Sequence, residues 1–210
     1  MSSNESTAPR YEFRTFGQHF ETAIQKMKQL SEPVPEKFRE RRSDEIYLVS
    51  ALNSTNNVKI REDKLDIKKL IRTDRRLEQW NPIAKAEFPL NVDFMAEELF
   101  PSFEVAVPDL DQDRYDLKSL LKLARIHPEL QVVNVSKQRF GFMVNNTICE
   151  VAQVLINGAK VVTLSSESTE AEDVLKTVRD LELEEMENIN YLQAIKRVTG
   201  LIDKPLMNLW

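Results

Sequence analysis

Pairs of ionisable residues two positions apart recur in five segments whose other positions are mostly apolar. They are Glu12/Arg14, Lys59/Arg61, Asp66/Lys68, Lys85/Glu87 and Lys137/Arg139. Side chains of a β-strand alternate between its two faces, so each segment, folded as a strand, shows one charged face and one apolar face. A solvated strand face explains any single pair. Their recurrence across distant strands favours a second interpretation, a barrel with a covered outer face and a charged lumen that binds a polyvalent anion.

The composition is compatible with that interpretation. A chain of 210 residues forms one large domain or two small ones, and its 41% apolar and 30% charged residues are typical of a soluble globular protein. The net charge of −5 gives no general attraction to duplex nucleic acid or an anionic membrane, so an anion site requires a local concentration of cations. The single cysteine, Cys149, excludes an intramolecular disulfide. The polar first residues lack an apolar signal core, and no apolar run approaches the ~20 residues of a membrane span, which predicts a cytoplasmic protein.

The apolar periodicity predicts an α+β fold with a largely antiparallel sheet. The predicted strands are 10–16, 45–51, 57–61, 65–71, 78–90, 130–144, 148–156 and 160–166, and the predicted helices are 17–30, 93–100, 117–126, 170–183 and 189–201. The helices have apolar stripes, which we expect to pack on the outside of a curved or closed sheet whose charged faces point inward. We expect one domain over residues 10–201, between a disordered tail at 1–9 and a C-terminal tail at 202–210.

The order of these elements and their charged motifs resembles the CYTH superfamily, or triphosphate tunnel fold. That superfamily includes thiamine triphosphatases, inorganic triphosphatases, RNA triphosphatases and class IV adenylyl cyclases. The corresponding stretches are Arg10-Tyr-Glu12-Phe-Arg14, Glu45-Ile-Tyr47, Lys59-Ile-Arg61, Asp66-Ile-Lys68, Lys85-Ala-Glu87, Lys137-Gln-Arg139 and Ser165-Ser-Glu167. Asn190-Tyr191 stands where members often have Ser-Tyr. The resemblance spans residues 10–201 and implies an antiparallel β-barrel, or tunnel, with helices packed on its outside.

The resemblance also implies a site for a triphosphate-containing small molecule or polyphosphate. The phosphate-binding residues it implies are Arg14, Lys59, Arg61, Lys68, Lys85, Lys137 and Arg139, with Lys68 as the catalytic residue. It further implies Mg²⁺ or Mn²⁺ held by carboxylates, for which this chain offers Glu12, Glu87, Glu150 and Glu167. Arg10 and Ser165 stand where members use glutamate, so we expect poor metal affinity and weak hydrolysis.

Two functions remain open from the sequence, a metal-dependent triphosphatase and a catalytically degenerate polyphosphate- or nucleotide-binding protein. Four glycines and no glycine-rich phosphate loop argue against a P-loop enzyme. We expect inward cations to outnumber inward carboxylates, so that an anion fills the site or the site is wet and shallow. On that view, Arg139→Ala weakens anion binding and leaves the fold intact or more stable. The oligomeric state is open.

Overall fold

The computed structural model describes residues 8–206. Eight strands close into an antiparallel barrel in the order β1-β10-β9-β8-β2-β3-β4-β5. These strands are β1 (Arg10–Gly17), β2 (Glu40–Ser50), β3 (Asn56–Arg61), β4 (Lys64–Asp74), β5 (Leu77–Glu87), β8 (Leu130–Val144), β9 (Thr147–Ile156) and β10 (Ala159–Ser168). Two short strands, β6 (Leu90–Asn91) and β7 (Arg114–Tyr115), form a separate two-stranded sheet. The predicted antiparallel barrel is confirmed.

Four two-residue turns join consecutive barrel strands. Both residues of each turn have positive φ, as type I′ hairpin turns require. They are Glu62-Asp63, Arg75-Arg76, Asn145-Asn146 and Asn157-Gly158. Asparagine and glycine adopt this conformation readily, whereas the arginine turn is held by its contacts. Arg76 donates hydrogen bonds to the carbonyl oxygens of Glu184 and Met186 at 2.5 and 2.6 Å.

Short helices cover much of the outer barrel surface, as the sequence predicts. They are α1 (Glu21–Leu30), α2 (Glu36–Arg39), α3 (Val92–Phe94), a π-helical segment at Met95–Leu99, α4 (Phe100–Ser102), α5 (Leu117–Ile126) and α6 (Ala171–Asp180). One outer apolar cluster joins α1 and α6 to β1, β9 and β10, and it includes Phe13 and Met27. A second cluster joins β3 and β4 to the segment from α3 to α5 and includes Ile60 and Leu120.

The last helix, α7 (Tyr191–Val198), does not lie where we expected it. Its apolar residues belong to a third cluster with Phe16, Tyr47 and Val135, which face the inside of the barrel. The helix therefore packs against the interior-facing residues of the strands rather than on the outer surface. An amphipathic stripe predicts that a helix face is buried, but it does not say which of the two barrel surfaces covers it.

The C-terminal segment packs on its own domain as far as it is described. Leu206 is buried in the same cluster as α7, and Arg197 donates a hydrogen bond to the carbonyl oxygen of Pro205 at 3.4 Å. The remaining residues of the predicted tails, 1–7 and 207–210, lie outside the described residues. Within the described part of the chain, no helix has both the length and the apolar character needed to cross a membrane.

Candidate functional site

The strand register shows which side chains line the lumen. Tyr47 of β2 belongs to the interior cluster with Tyr191, and it lies directly opposite Lys59 of β3. Directly opposed residues of an antiparallel pair share a face, so Lys59 and the alternate residue Arg61 face the lumen. The same alternation along the other strands adds Arg10, Glu12, Arg14, Arg41, Glu45, Lys137, Arg139, Glu150 and Glu167 to the lumen face.

Glu45 is the centre of the best-connected ion cluster. Its side chain is fully buried, and its Oε2 accepts a hydrogen bond from Lys137 Nζ at 2.8 Å. Its Oε1 accepts one from Arg139 Nη2 at 2.5 Å. Tyr47 Oη also donates to Glu45 Oε2 at 3.0 Å and accepts from Lys137 Nζ at 2.8 Å. Each group in this buried network therefore has a partner, as low-dielectric surroundings require.

Two further cations stand around the same carboxylate at longer range. Lys59 Nζ lies 3.9 Å and Arg61 Nη1 3.8 Å from the nearest Glu45 oxygen. Burial alone would raise the pKa of Glu45, but the charges of Lys137, Lys59 and Arg139 hold that pKa well below its usual range. Glu45 is therefore an ionised internal counter-ion at neutral pH.

A second ion cluster forms around Glu150 on β9. Its Oε2 lies 3.0 Å from Arg41 Nη2 and 3.7 Å from Arg139 Nε, and its Oε1 lies 4.0 Å from Arg14 Nη1. Arg14 is also bound by its strand neighbour Glu12, whose Oε1 lies 2.6 Å from Arg14 Nε. The β8, β9 and β1 side of the lumen is thus largely neutralised by its own ion pairs.

Three glutamates form a row across adjacent strands at one side of the lumen. Glu12 of β1 lies directly opposite Glu78 of β5 and directly opposite Glu167 of β10. Arg10 Nη1 lies 2.9 Å from Glu167 Oε1. Both oxygens of Glu78 accept hydrogen bonds from Asn190 Nδ2, at 2.8 and 3.0 Å. Burial raises the pKa of both Glu78 and Glu167.

Strands β3, β4 and β5 carry cations with few close partners. Lys68 of β4 lies opposite Asn57, and Lys85 of β5 lies opposite Asp66, which is itself opposite Lys59. Both lysines are open to solvent, and no ion pair joins either ammonium group to another residue of 8–206. We call Lys59, Arg61, Lys68 and Lys85 the cationic wall. Burial lowers the pKa of Lys59 despite the nearby Glu45, and the like charges of Arg61 and Lys68 lower it further.

Tyr191 lies between the charged side chains of the lumen and the interior apolar cluster that contains α7. Lys137 Nζ lies 3.6 Å from the centre of its ring, and the Arg14 guanidinium lies 4.7 Å from it. Its buried hydroxyl has no hydrogen-bond partner among the described residues. Burial raises the pKa of this hydroxyl, so it stays protonated and can donate. An unpaired buried donor next to two cations suits an anionic acceptor.

The structure brings together most of the predicted phosphate-binding residues. Lys137 and Arg139 are both buried, at 5% and 8% exposed, and the ammonium group of Lys137 contacts Glu45, Tyr47 and the ring of Tyr191. Arg139 has a carboxylate partner as well, so its removal does not relieve a repulsion. This corrects the expectation that Arg139→Ala leaves the fold intact or more stable. The expected excess of uncompensated inward cations is likewise confined to the cationic wall, because the other inward cations pair with Glu12, Glu45, Glu150 or Glu167.

The predicted metal ligands do not form a preformed cluster. Glu87 is 74% exposed and pairs with Lys64 at 2.8 Å, while Glu12, Glu150 and Glu167 are each held by an arginine. No group of three or more His, Cys, Asp or Glu side chains in residues 8–206 is arranged to hold a metal ion. As arranged, these residues do not fit a resident Mg²⁺ or Mn²⁺, which requires several oxygen ligands close to one point.

Sequence reasoning missed Glu45 and Glu78 as members of the site. Glu45 opens the motif Glu45-Ile-Tyr47, and its alternation with Tyr47 was a usable signal that it faces inward. Glu78 lies two residues after Arg76, which is the spacing of the five charged pairs, and this spacing was a usable signal.

Comparisons with known proteins find similar solved structures but no similar sequences. No family model and no curated protein matches this chain. A conserved hypothetical protein of Pyrococcus furiosus is 15% identical, with 87% of this chain and 98% of that chain covered and a TM-score of 0.49. The putative adenylyl cyclase HpAC1 of Hippeastrum, described as having a dominant triphosphatase activity, is 10% identical, with 94% and 98% covered and a TM-score of 0.47. The RNA triphosphatase domain of the mimivirus capping enzyme is 10% identical, with 86% and 91% covered and a TM-score of 0.45.

The assignment of the fold rests on the barrel itself. Eight antiparallel strands close around a charged lumen, and the seven strand motifs of the sequence resemblance lie on seven of these strands, all except β9. Helices pack against the outer face of those strands. The fold is the closed antiparallel barrel with outer helices that the resemblance to the CYTH superfamily implied.

Proposed function

We propose that the protein binds a triphosphate or a longer polyphosphate in its lumen. The observation that carries the proposal is the cationic wall, whose two lysines without ion pairs stand beside two cations that have only distant carboxylate contacts. Elsewhere in the lumen, Glu12, Glu45, Glu150 and Glu167 are each matched by a close arginine or lysine. A ligand with several negative charges satisfies the wall without disturbing those pairs.

The size of the wall favours a ligand with more than one phosphate group. Its cations lie on three adjacent strands, which are about 4.8 Å apart, and Lys59 and Arg61 lie two residues apart, about 7 Å along β3. One phosphate group does not reach all four cations. A chain of phosphates does, and it also extends toward the guanidinium groups of Arg14 and Arg139. Arginine suits this role because it has five N–H donors, and here only some of them are used.

Adjacent lysines on β4 provide a matched test. Lys68 lies on the lumen face, opposite Asn57, whereas Lys69 lies opposite Asn56, whose side chain bonds outside the lumen to the Ser102 carbonyl oxygen. Both lysines are exposed, so neither substitution threatens the fold. Isothermal titration calorimetry with tripolyphosphate at fixed ionic strength should show at least fivefold weaker binding for Lys68→Gln and unchanged binding for Lys69→Gln. Equal effects of the two substitutions would contradict a lumen site.

We further propose that the protein hydrolyses the bound anion, with Lys68 as the catalytic residue. The exposed ammonium group of Lys68 lies on the lumen face and is free to contact a phosphate oxygen, where positive charge stabilises the charge that develops during phosphoryl transfer. A phosphate-release assay with tripolyphosphate tests it. We expect slow release by the wild type and none by Lys68→Gln. Release that Lys68→Gln does not change would contradict the role of Lys68, and no release by the wild type would leave a binding protein as the function.

A further inference from the structure

The glutamates that could attract a divalent metal ion are bound by arginines of the same barrel. Arg10, Glu12 and Arg14 alternate on β1 and therefore face the lumen together. Arg14 Nε lies 2.6 Å from Glu12 Oε1, and Arg10 Nη1 lies 2.9 Å from Glu167 Oε1. The positive charge that such a row of carboxylates requires is thus supplied by the protein chain.

The third glutamate of the row is also occupied. Glu78 accepts two hydrogen bonds from Asn190 Nδ2 and one from Trp80 Nε1 at 3.0 Å. Asn190 is at the same time the N-cap of α7, since its Oδ1 accepts from the Gln193 backbone N–H at 2.9 Å. A metal ion that recruited Glu78 would therefore disturb the start of α7.

A dication at this row would also meet unfavourable charges. Mg²⁺ binds oxygen ligands at about 2.0–2.1 Å in near-octahedral geometry, so it would have to displace the guanidinium groups from Glu12 and Glu167. The displaced Arg10 and Arg14 would remain close by on the same strand, and like charges at short range repel strongly in a partly buried site.

We propose that the lumen binds its phosphate ligand as the metal-free anion, with Arg10 and Arg14 in the role of the divalent cation. Each guanidinium bridges a glutamate on one side and a phosphate oxygen on the other. Arg10 has Nε and Nη2 available for this, and Arg14 has Nη2, since these nitrogens have no hydrogen-bond partner among the described residues. The inference rests on the proposed function, because it specifies the ionic form in which that ligand binds.

The test is calorimetric titration of the wild-type protein with tripolyphosphate, once with EDTA and once with excess Mg²⁺ or Mn²⁺. Binding in EDTA is expected, and excess metal should weaken it several-fold, because metal ions complex the free anion. Binding that requires metal, or that becomes tenfold tighter with it, would overturn the inference and leave the proposed function standing. Absence of binding in both conditions would overturn the proposed function itself.

The charge reversal Arg10→Glu, at the start of β1, provides a second and independent test. Arg10→Glu removes one bridging guanidinium and frees Glu167, so tripolyphosphate affinity in EDTA should fall at least tenfold and recover in part with Mn²⁺. Arg42→Glu is the matched control, since Arg42 is a 75% exposed arginine on the outer face of β2 and should have little effect. Mn²⁺ titrated into the protein without phosphate, followed by the electron paramagnetic resonance signal of the free ion, should reveal a site in Arg10→Glu only. A saturable Mn²⁺ site in the wild type would contradict the proposal.

Discussion

Glu45 and Lys137 form a buried ion pair inside the barrel, with Oε2 and Nζ 2.8 Å apart and neither side chain open to solvent. They lie on neighbouring strands, β2 and β8, although 92 residues separate them in sequence. Glu45 is central to the charge balance of the lumen, because it also pairs with Arg139 and stands near the cationic wall.

Glu45→Gln should destabilise the protein by about 3–5 kcal/mol, because it leaves buried cations without a counter-ion. Urea unfolding at pH 7 measures the change. Asp44→Asn is the control, since Asp44 is exposed, on the outer face, and bonded to Ser136, and it should change the unfolding free energy by less than about 0.5 kcal/mol. A stability loss of the same size in both variants would contradict the central role of Glu45.

The stabilising effect of Glu45 should disappear in acid. Because its pKa in the folded protein lies below the ordinary value of 4.5, the ionised group contributes stability above about pH 4.5, and this contribution is lost as the pH falls toward the lowered pKa. The difference in unfolding free energy between the wild type and Glu45→Gln should therefore shrink progressively below pH 4.5. A difference that stays constant or grows down to pH 2.5 would contradict the ionised state.

Arg139→Ala should lower the free energy of unfolding by about 1.5–3 kcal/mol, because the charge-assisted hydrogen bond to Glu45 Oε1 is lost. It should also weaken tripolyphosphate binding. Gln138→Ala is the matched control, since Gln138 is the next residue on β8 and its amide bonds to Glu40 on the exposed face. Chemical unfolding and calorimetry of both variants check the two effects. A more stable Arg139→Ala protein would restore the view that this arginine is an uncompensated charge.

The elements of this fold were predictable because their signals are local. Apolar alternation marked the barrel strands, and the short gap between the predicted strands 130–144 and 148–156 is the hairpin turn at Asn145-Asn146, where both residues have positive φ. The contacts of Glu45 were not predictable, since alternation fixes the face of a side chain but not its partner across the barrel. The position of α7 was missed for the same reason. Its buried stripe was visible in the sequence, but the surface that covers it was not.

Tyr191→Phe should leave the unfolding free energy unchanged or raise it by about 1 kcal/mol, because the lost hydroxyl has no partner among the described residues. Tyr191→Leu should instead destabilise the protein by about 2 kcal/mol or more, since it removes the ring that contacts Lys137 and Arg14. Thermal and urea unfolding distinguish the two. A large stability loss in Tyr191→Phe would show that the hydroxyl has a partner in solution.

The most direct test of the central claim is a crystal structure of the protein with tripolyphosphate. We predict phosphate groups inside the lumen, in contact with Lys59, Arg61 and Lys68, with Glu45 still bound to Lys137. Phosphate bound only on the outer surface of the barrel, or an empty lumen at saturating tripolyphosphate, would contradict the account.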